Sequence, residues 1–236
     1  MGVHEGPLQG LVRHEEVYNR RRITLFCETY RSMNILAIGP HPDDIEFGCG
    51  GALIKYAAKG HNIYLLVLTD GGIGGNGQVR KKEQEAAAEF MKAKQIFWGN
   101  FKDTEIPMNG ALISTVEGVI NRTRPQIVLF NYIEDTHQDH RVIAQASASA
   151  TRYIKEALHY EVPTSQNFQP DIFVDIGDVL DQKLQLLRIH ASQVNKTKVE
   201  NLTILESARS CAIFRGYQGR VKYAEGFKAI RILKDI

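Results

Sequence analysis

From residue 34 onwards, short apolar runs alternate with helical stretches, and this alternation constrains the fold more than any other feature. The apolar runs are long enough for buried strands and lie at residues 34–38, 63–68, 96–98, 127–130 and 172–176. Helices are predicted between and after them, at residues 52–59, 80–94, 112–120, 142–158 and 179–190. Strands that alternate with helices of this length are typical of right-handed, parallel βαβ units. The sequence therefore predicts an α/β fold, a Rossmann-like, doubly wound, mostly parallel sheet with helices on both faces.

The alternation does not extend over the whole chain. Its 236 residues, 43% hydrophobic and 24% charged, have an ordinary globular composition. Residues 1–32 contain one short apolar run, at 23–26, and no strand–helix alternation. The stretch after residue 190 is mixed in pattern and is expected to pack beside the sheet. We therefore predict a single domain over residues 33–236, preceded by an N-terminal extension over residues 1–32.

Charge and cysteine content exclude several classes of protein. The formal net charge is +2 and the basic residues are dispersed, apart from a cluster at residues 20–22, so no nucleic-acid partner is expected. The cysteines, Cys27, Cys49 and Cys211, are odd in number and far apart, which argues for a reducing compartment. No apolar run approaches the ~20 residues of a membrane span, and the early charged residues do not fit a signal peptide. We expect a cytoplasmic protein with no membrane span.

The turn after the first predicted strand carries a candidate metal site. It reads His41-Pro-Asp43-Asp44, and in an open α/β sheet ligands bind at the carboxyl ends of the strands. His41 and Asp44 are suitable ligands for a divalent metal, and Asp43 stands between them. The alternative is a polar turn in which an Asp caps the next helix.

A second cluster, His137-Gln-Asp139-His140, follows the fourth predicted strand. In a parallel sheet both clusters lie at the same edge. Three protein ligands that leave one position open are the pattern of a catalytic zinc site, and His41, Asp44 and one of His137 or His140 would supply them. The alternative is a surface loop in which Asp139 caps a helix.

These two motifs resemble those of the PIG-L/LmbE-like zinc-dependent N-acetylglucosaminyl de-N-acetylases. The resemblance rests on His41-Pro-Asp-Asp44 with Glu46, on His137-x-Asp-His140 and on the late stretch Tyr223-Ala-Glu-Gly-Phe227, and it covers about residues 33–228. It implies a zinc site and a general base, with the following assignment: His41, Asp44 and His140 as ligands, Asp43 as base, and His137 as an imidazolium held by Asp139 at the developing oxyanion. Gln138 stands where many relatives have Pro, and Asp135 where some have a Tyr that polarises the carbonyl.

The resemblance implies a hydrolase that removes the acetyl group from an N-acetylglucosamine conjugate. Zinc lowers the pKa of bound water to about 7 and polarises the carbonyl, and a carboxylate beside the ligands can take the proton of the water and pass it to the departing amine. The same His and Asp ligands would also take Fe²⁺ or Co²⁺. Substrate-binding roles are expected for Arg80, which opens a helix in an Arg-x-x-Glu pattern with Glu83, and for Glu46 and Asn131. Relatives of this kind often form trimers or hexamers, so a homo-oligomer is a further expectation.

Two other functions compete with this interpretation. The stretch 72–77 satisfies G-x-G-x-x-G between a strand and a helix, which would suit a nucleotide-binding oxidoreductase or transferase. A dinucleotide site also needs a carboxylate at the end of the following strand. That strand is predicted at 96–98, and the first carboxylate after it is Asp103. The second alternative is a non-catalytic, zinc-containing sugar-binding protein, which has no need of a spare carboxylate such as Asp43. His190, on a late helix, is expected to be a structural or rim histidine.

Overall fold

The computed structural model describes residues 1–2 and 32–233. The predicted extension over residues 1–32 lies almost wholly outside the described residues and stays a prediction. The described strands are β1 (Asn34–Gly39), β2 (Asn62–Val67), β3 (Gln95–Trp98), β4 (Ile127–Asn131), β5 (Glu156–Tyr160), β6 (Ile172–Asp175) and β7 (Ala224–Arg231). The described α-helices are α1 (Asp44–Ala58), α2 (Gly77–Phe90), α3 (Gly110–Thr123), α4 (Gln138–Ala150), α5 (Leu180–Ile189) and α6 (Ile204–Gly219).

The seven described strands form one sheet in the order β3-β2-β1-β4-β5-β7-β6. The first five strands in that order pair in parallel, and β7 pairs antiparallel with both β5 and β6. From β1 the chain runs outward through β2 and β3, then returns to place β4 on the other side of β1. The strand order therefore reverses between β1 and β4, and in such sheets the crevice at the carboxyl ends beside this reversal is where ligands bind.

Side chains alternate between the two faces of the sheet and bury two apolar layers. Ile35 and Ala37 of β1 point into one layer with α1, α2, α5 and α6, whereas Leu36 and Ile38 point into the other with α3 and α4. The prediction of a doubly wound, mostly parallel sheet covered on both faces is therefore confirmed.

Two predicted helices were wrong in extent. The helix predicted at 142–158 ends at Ala150, and Glu156–Tyr160 is strand β5. The helix predicted at 52–59 begins at Asp44, so the glycine-rich stretch 48–51 lies inside α1 and does not precede it. Close packing against this part of α1 explains the glycine at position 48, because a Cβ atom there would overlap the ring of Tyr160.

A buried ion pair connects the last strand to the first helix. Glu225 of β7 accepts hydrogen bonds from the α1 backbone amides Gly51 N (2.8 Å) and Ala52 N (2.7 Å). Lys183 of α5 pairs with the same carboxylate and donates to Phe47 O (2.6 Å). Donors and acceptors inside α1 are thus satisfied by side chains that lie far away in sequence.

None of the helices in the described ranges combines the length and the apolar character that crossing a membrane requires.

Candidate active site

Side chains from three strand ends meet at the carboxyl edge of the sheet beside the reversal in strand order. The turn after β1 supplies His41 and Asp44, the loop after β3 supplies Asp103, and the segment from β4 into α4 supplies Asp139 and His140. All five side chains are buried. The sequence prediction that the two His/Asp clusters share one edge of the sheet is therefore met by the geometry.

His41 is surrounded by carboxylates. Its Nδ1 lies 3.1 Å from Asp44 Oδ2, and its Nε2 lies 3.0 Å from Asp103 Oδ1 and 3.2 Å from Asp139 Oδ2. Burial alone would lower the pKa of His41, but these hydrogen bonds raise it well above its usual value. The reciprocal effect holds the pKa of Asp103 at about 2.

Asp44 lies between the two predicted histidine ligands. While one of its oxygens contacts His41, the other lies 3.4 Å from His140 Nε2. His140 Nδ1 faces Asp135 Oδ2 at 3.2 Å. Burial lowers the pKa of His140, but Asp44 and Asp135 together raise it to about 9.

The donor set fits a divalent metal. Three buried carboxylates, those of Asp44, Asp103 and Asp139, contact His41, and a bound cation would offset their negative charge. The ring of His140 presents one nitrogen to the cluster and the other to Asp135, which is the arrangement that orients metal-bound imidazoles. Two further groups of three, His41 with His137 and His140, and His41 with Asp103 and Asp139, have ligand atoms within 4.8 Å of one another. The residues therefore form a possible metal site whose common member is His41.

Asp43 stands at the edge of this cluster in a strained conformation. It precedes α1 with φ 96°, in the left-handed region. Arg80 Nη2 donates to Pro42 O (2.7 Å) and lies 3.3 Å from Asp43 Oδ1. Burial raises the pKa of Asp43 to about 6, although Arg80 acts in the opposite direction. A half-buried carboxylate with such a pKa can accept and release a proton near neutral pH.

The geometry of His137 differs from the predicted imidazolium held by Asp139. His137 Nδ1 accepts a hydrogen bond from the backbone N–H of Asp139 (3.2 Å), so a neutral ring carries its proton on Nε2. Burial and the neighbouring histidines lower the pKa of His137. The carboxylate of Asp139 turns instead to His41 and accepts from Thr104 N (2.8 Å).

The three residues expected to bind substrate lie around the base of this cluster. The guanidinium of Arg80 is buried between the Asp43 turn and Gly71 O (2.8 Å). Glu46 and Asn131 are fully buried; Glu46 accepts from Gln84, and Asn131 Oδ1 accepts from Tyr160 Oη (3.0 Å). These placements favour supporting roles over direct contact with a substrate.

Sequence reasoning missed two carboxylates of the cluster, Asp103 and Asp135. In the sequence, Asp103 entered only the argument against a dinucleotide site, because it lies too far beyond the strand at 96–98. It nevertheless follows a third parallel strand, so it lies at the same edge of the sheet. Asp135 was considered only as the replacement for a tyrosine. The position of each in a loop after a strand end is the signal that could have identified them.

The glycine-rich loop packs around an arginine. A Cβ atom at Gly71 or Gly74 would collide with the guanidinium of Arg80, and Lys196 Nζ donates to Gly74 O (2.7 Å). Close approach of Arg80 therefore accounts for glycines in this loop without a bound phosphate.

The fold and the site together define an α/β enzyme with a candidate metal centre at the strand-order reversal. The sequence model of the PIG-L family, GlcNAc-PI de-N-acetylase, matches residues 36–151. The chain is 35% identical over 177 residues to an uncharacterized deacetylase, YaiS, of Escherichia coli K12, covering 71% of this chain and 96% of that protein. It is 31% identical over 223 residues to diacetylchitobiose deacetylase of Thermococcus kodakarensis, covering 83% and 82%.

Among solved structures, N,N'-diacetylchitobiose deacetylase from Pyrococcus horikoshii superposes with a TM-score of 0.76 at 24% identity, over 94% of each chain. At this identity the likeness concerns the fold. The sequence relatives carry the assignment further: the chain belongs to the PIG-L/LmbE-like deacetylase family. The prediction of an N-deacetylase enzyme is confirmed at the level of that class.

Proposed function

We propose that this chain is a zinc-dependent hydrolase that removes the acetyl group from an N-acetylated amino sugar, an N-acetylglucosamine conjugate. The diacetylchitobiose deacetylase among its relatives supports the substrate class. The observation that carries the proposal is Asp43, a carboxylate outside the proposed ligand set that is held beside the buried His/Asp cluster with φ 96°.

We assign His41, Asp44 and His140 as the residues that hold the metal. Asp103 and Asp139 at His41, and Asp135 at His140, would orient the two imidazoles. Zinc bound here would polarise the acetamide carbonyl and acidify a water molecule. Fe²⁺ and Co²⁺ suit the same nitrogen and oxygen donors.

Asp43 acts as the general base and then as the general acid. Its carboxylate takes a proton from the attacking water and delivers it to the nitrogen of the departing amine, which an amide needs because an amine anion is a poor leaving group. A pKa of about 6 suits both transfers near neutral pH.

His137 supplies a hydrogen bond to the oxyanion. Its ring lies 4.7 Å from the rings of His41 and His140, and a neutral ring with its proton on Nε2 can still donate. A donor placed where negative charge develops stabilises the transition state. Asp139 acts on this ring through its backbone amide.

A role in sugar binding stays a prediction for Arg80, Glu46 and Asn131, and their burial favours an indirect role through neighbouring side chains. Assembly into a homo-oligomer also stays a prediction. Arg80 has the most direct connection to the reacting group, because its guanidinium contacts Asp43.

An acetate-release screen with the metal content measured on the same sample tests the proposal. The panel contains N-acetylglucosamine, diacetylchitobiose and an N-acetylglucosaminide with a malate aglycone. We expect acetate release that a chelator abolishes and added zinc restores. Zinc and sugar binding with no acetate release from any compound would support a sugar-binding protein instead. Nicotinamide-cofactor binding that a chelator leaves unchanged would support the oxidoreductase alternative.

A further inference from the structure

A buried polar chain outside the metal cluster contacts the backbone of Asp43. Arg80 and Gln84 lie one turn apart on the same face of α2, and both reach the Asp43 turn. Gln84 is completely buried. Its Oε1 accepts from Asp43 N at 3.4 Å, a long hydrogen bond, and its Nε2 donates to Glu46 Oε1 at 2.6 Å. Gln84 therefore connects the proposed base to a buried carboxylate.

The carboxylate decides which way the amide of Gln84 points. A carboxylate only accepts hydrogen bonds, whereas a primary amide has one donating and one accepting end. The NH₂ group of Gln84 must therefore face Glu46, which leaves its oxygen to face the N–H of Asp43. The opposite orientation would bring two donors together at Asp43 and two acceptors together at Glu46.

His190 encloses Glu46 from the other side. Its ring is 1% exposed, and its Nε2 lies 3.5 Å from Glu46 Oε2. The following segment is anchored to α2, because Glu83 accepts from Ser192 N (2.8 Å) and Ser192 Oγ (2.6 Å). Glu46 thus sits between Gln84 and His190, both of which α2 helps to place.

We infer that Gln84 is a positioning residue for the Asp43 base and that the buried Glu46 carboxylate orients its amide. The kinetic consequence rests on the proposed deacetylase function. Without Gln84 the N–H of Asp43 loses its acceptor, the turn can relax from its left-handed conformation, and the carboxylate moves. A shift of about 1 Å in a reacting group costs roughly 100-fold in rate.

The variants Gln84→Met and Gln84→Met/Glu46→Met test this inference. The single variant leaves Glu46 buried without its donor and is the more prone to misfold. Replacing both partners by apolar groups of similar size costs much less folding free energy than leaving one of them unpaired. The double variant therefore tests the inference even if the single variant misfolds. In both we expect kcat for acetate release to fall roughly 10- to 100-fold while KM and bound zinc stay near wild type.

Gln78→Met, an exposed glutamine on the same helix, is the matched control and should leave kcat unchanged. The inference is overturned if the double variant keeps wild-type kcat, or if its loss of activity follows a loss of zinc or a rise in KM. If the wild-type protein itself releases no acetate, the deacetylase proposal fails, and a crystal structure of the double variant decides the inference. An Asp43 φ that leaves the left-handed region supports it, and an unchanged turn overturns it.

Discussion

Asp43 combines an unfavourable backbone with a useful side chain. For a residue other than glycine the left-handed region costs roughly 1–2 kcal/mol. Contacts on both sides keep Asp43 there: its carbonyl accepts from Phe47 N (2.9 Å), and Arg80 holds the preceding carbonyl and the carboxylate. Strain that persists at one residue of a site is typical of positions where the side chain must be aimed.

Comparing Asp43→Gly with Asp43→Ala separates the effect of backbone strain on stability from the effect of the carboxylate on catalysis. Both variants should retain zinc and lose roughly 10²- to 10⁴-fold in kcat, because both remove the general base. Asp43→Gly should be more stable than Asp43→Ala by about 1 kcal/mol, because glycine adopts a positive φ without penalty. Urea unfolding, zinc content and acetate release measure the three effects. An Asp43→Ala protein with its zinc and full turnover would rule out the base, and equal stabilities would rule out the strain.

The sequence allowed the location of individual site residues to be predicted where two motifs follow two parallel strands. His41 and Asp44 after one strand and His140 after another predicted a shared edge, and the geometry brings them together. The partners of these residues were not predictable. Whether Asp139 turns to His137 or to His41, and which nitrogen of His137 carries the proton, depends on neighbours that sequence spacing does not specify.

At the scale of helices and strands, the errors came from residues whose neighbours lie far away in sequence. The glycines at 48–51 resemble a helix breaker, but they lie inside α1 because β5, β7 and α5 pack against them. The small residues of α4 continue without Gly or Pro into β5, so local pattern gave no sign of the change from helix to strand. Pairing direction is likewise absent from local pattern, which is why antiparallel β7 was not anticipated.

Two helical glycines with different surroundings test this explanation. Gly48→Ala should destabilise the protein by roughly 1–3 kcal/mol, because the new methyl group overlaps Tyr160 in a packed core. Gly118→Ala in α3 has no heavy atom within 4 Å of its new Cβ and should stabilise the protein by about 0.5–1 kcal/mol. Equilibrium urea unfolding of the two variants gives both values. Stabilisation by Gly48→Ala would show that this close approach does not require glycine.

On the scale of the whole molecule, the strand order places the buried His/Asp cluster at one crevice of the sheet. β1 and β4 adjoin at the reversal in strand order, so the loops after them face one crevice. The described side chains of the two apolar layers all lie outside the His/Asp cluster. Zinc is therefore expected to add stability to a chain that already folds.

Zinc should raise the unfolding temperature in a way that identifies its ligands. At a free zinc concentration 1,000 times Kd, the native state gains about 4 kcal/mol. His140→Asn should abolish this shift, whereas His137→Asn should retain most of it, because His137 lies outside the proposed ligand set. Scanning calorimetry of chelator-treated and zinc-loaded samples measures both. A shift that disappears in His137→Asn and persists in Asp44→Asn would favour the three-histidine group over the proposed one.

The buried pair of Glu225 and Lys183 has a consequence for how the protein is made. Glu225 lies 174 residues beyond Gly51, whose amide it binds, so this contact cannot form until β7 has left the ribosome. Contacts between such distant residues form late and slowly. The middle of α1 therefore acquires its Glu225 partner only when β7 arrives. A ribosome-stalled chain that lacks β7 would therefore carry every proposed catalytic residue and still be inactive.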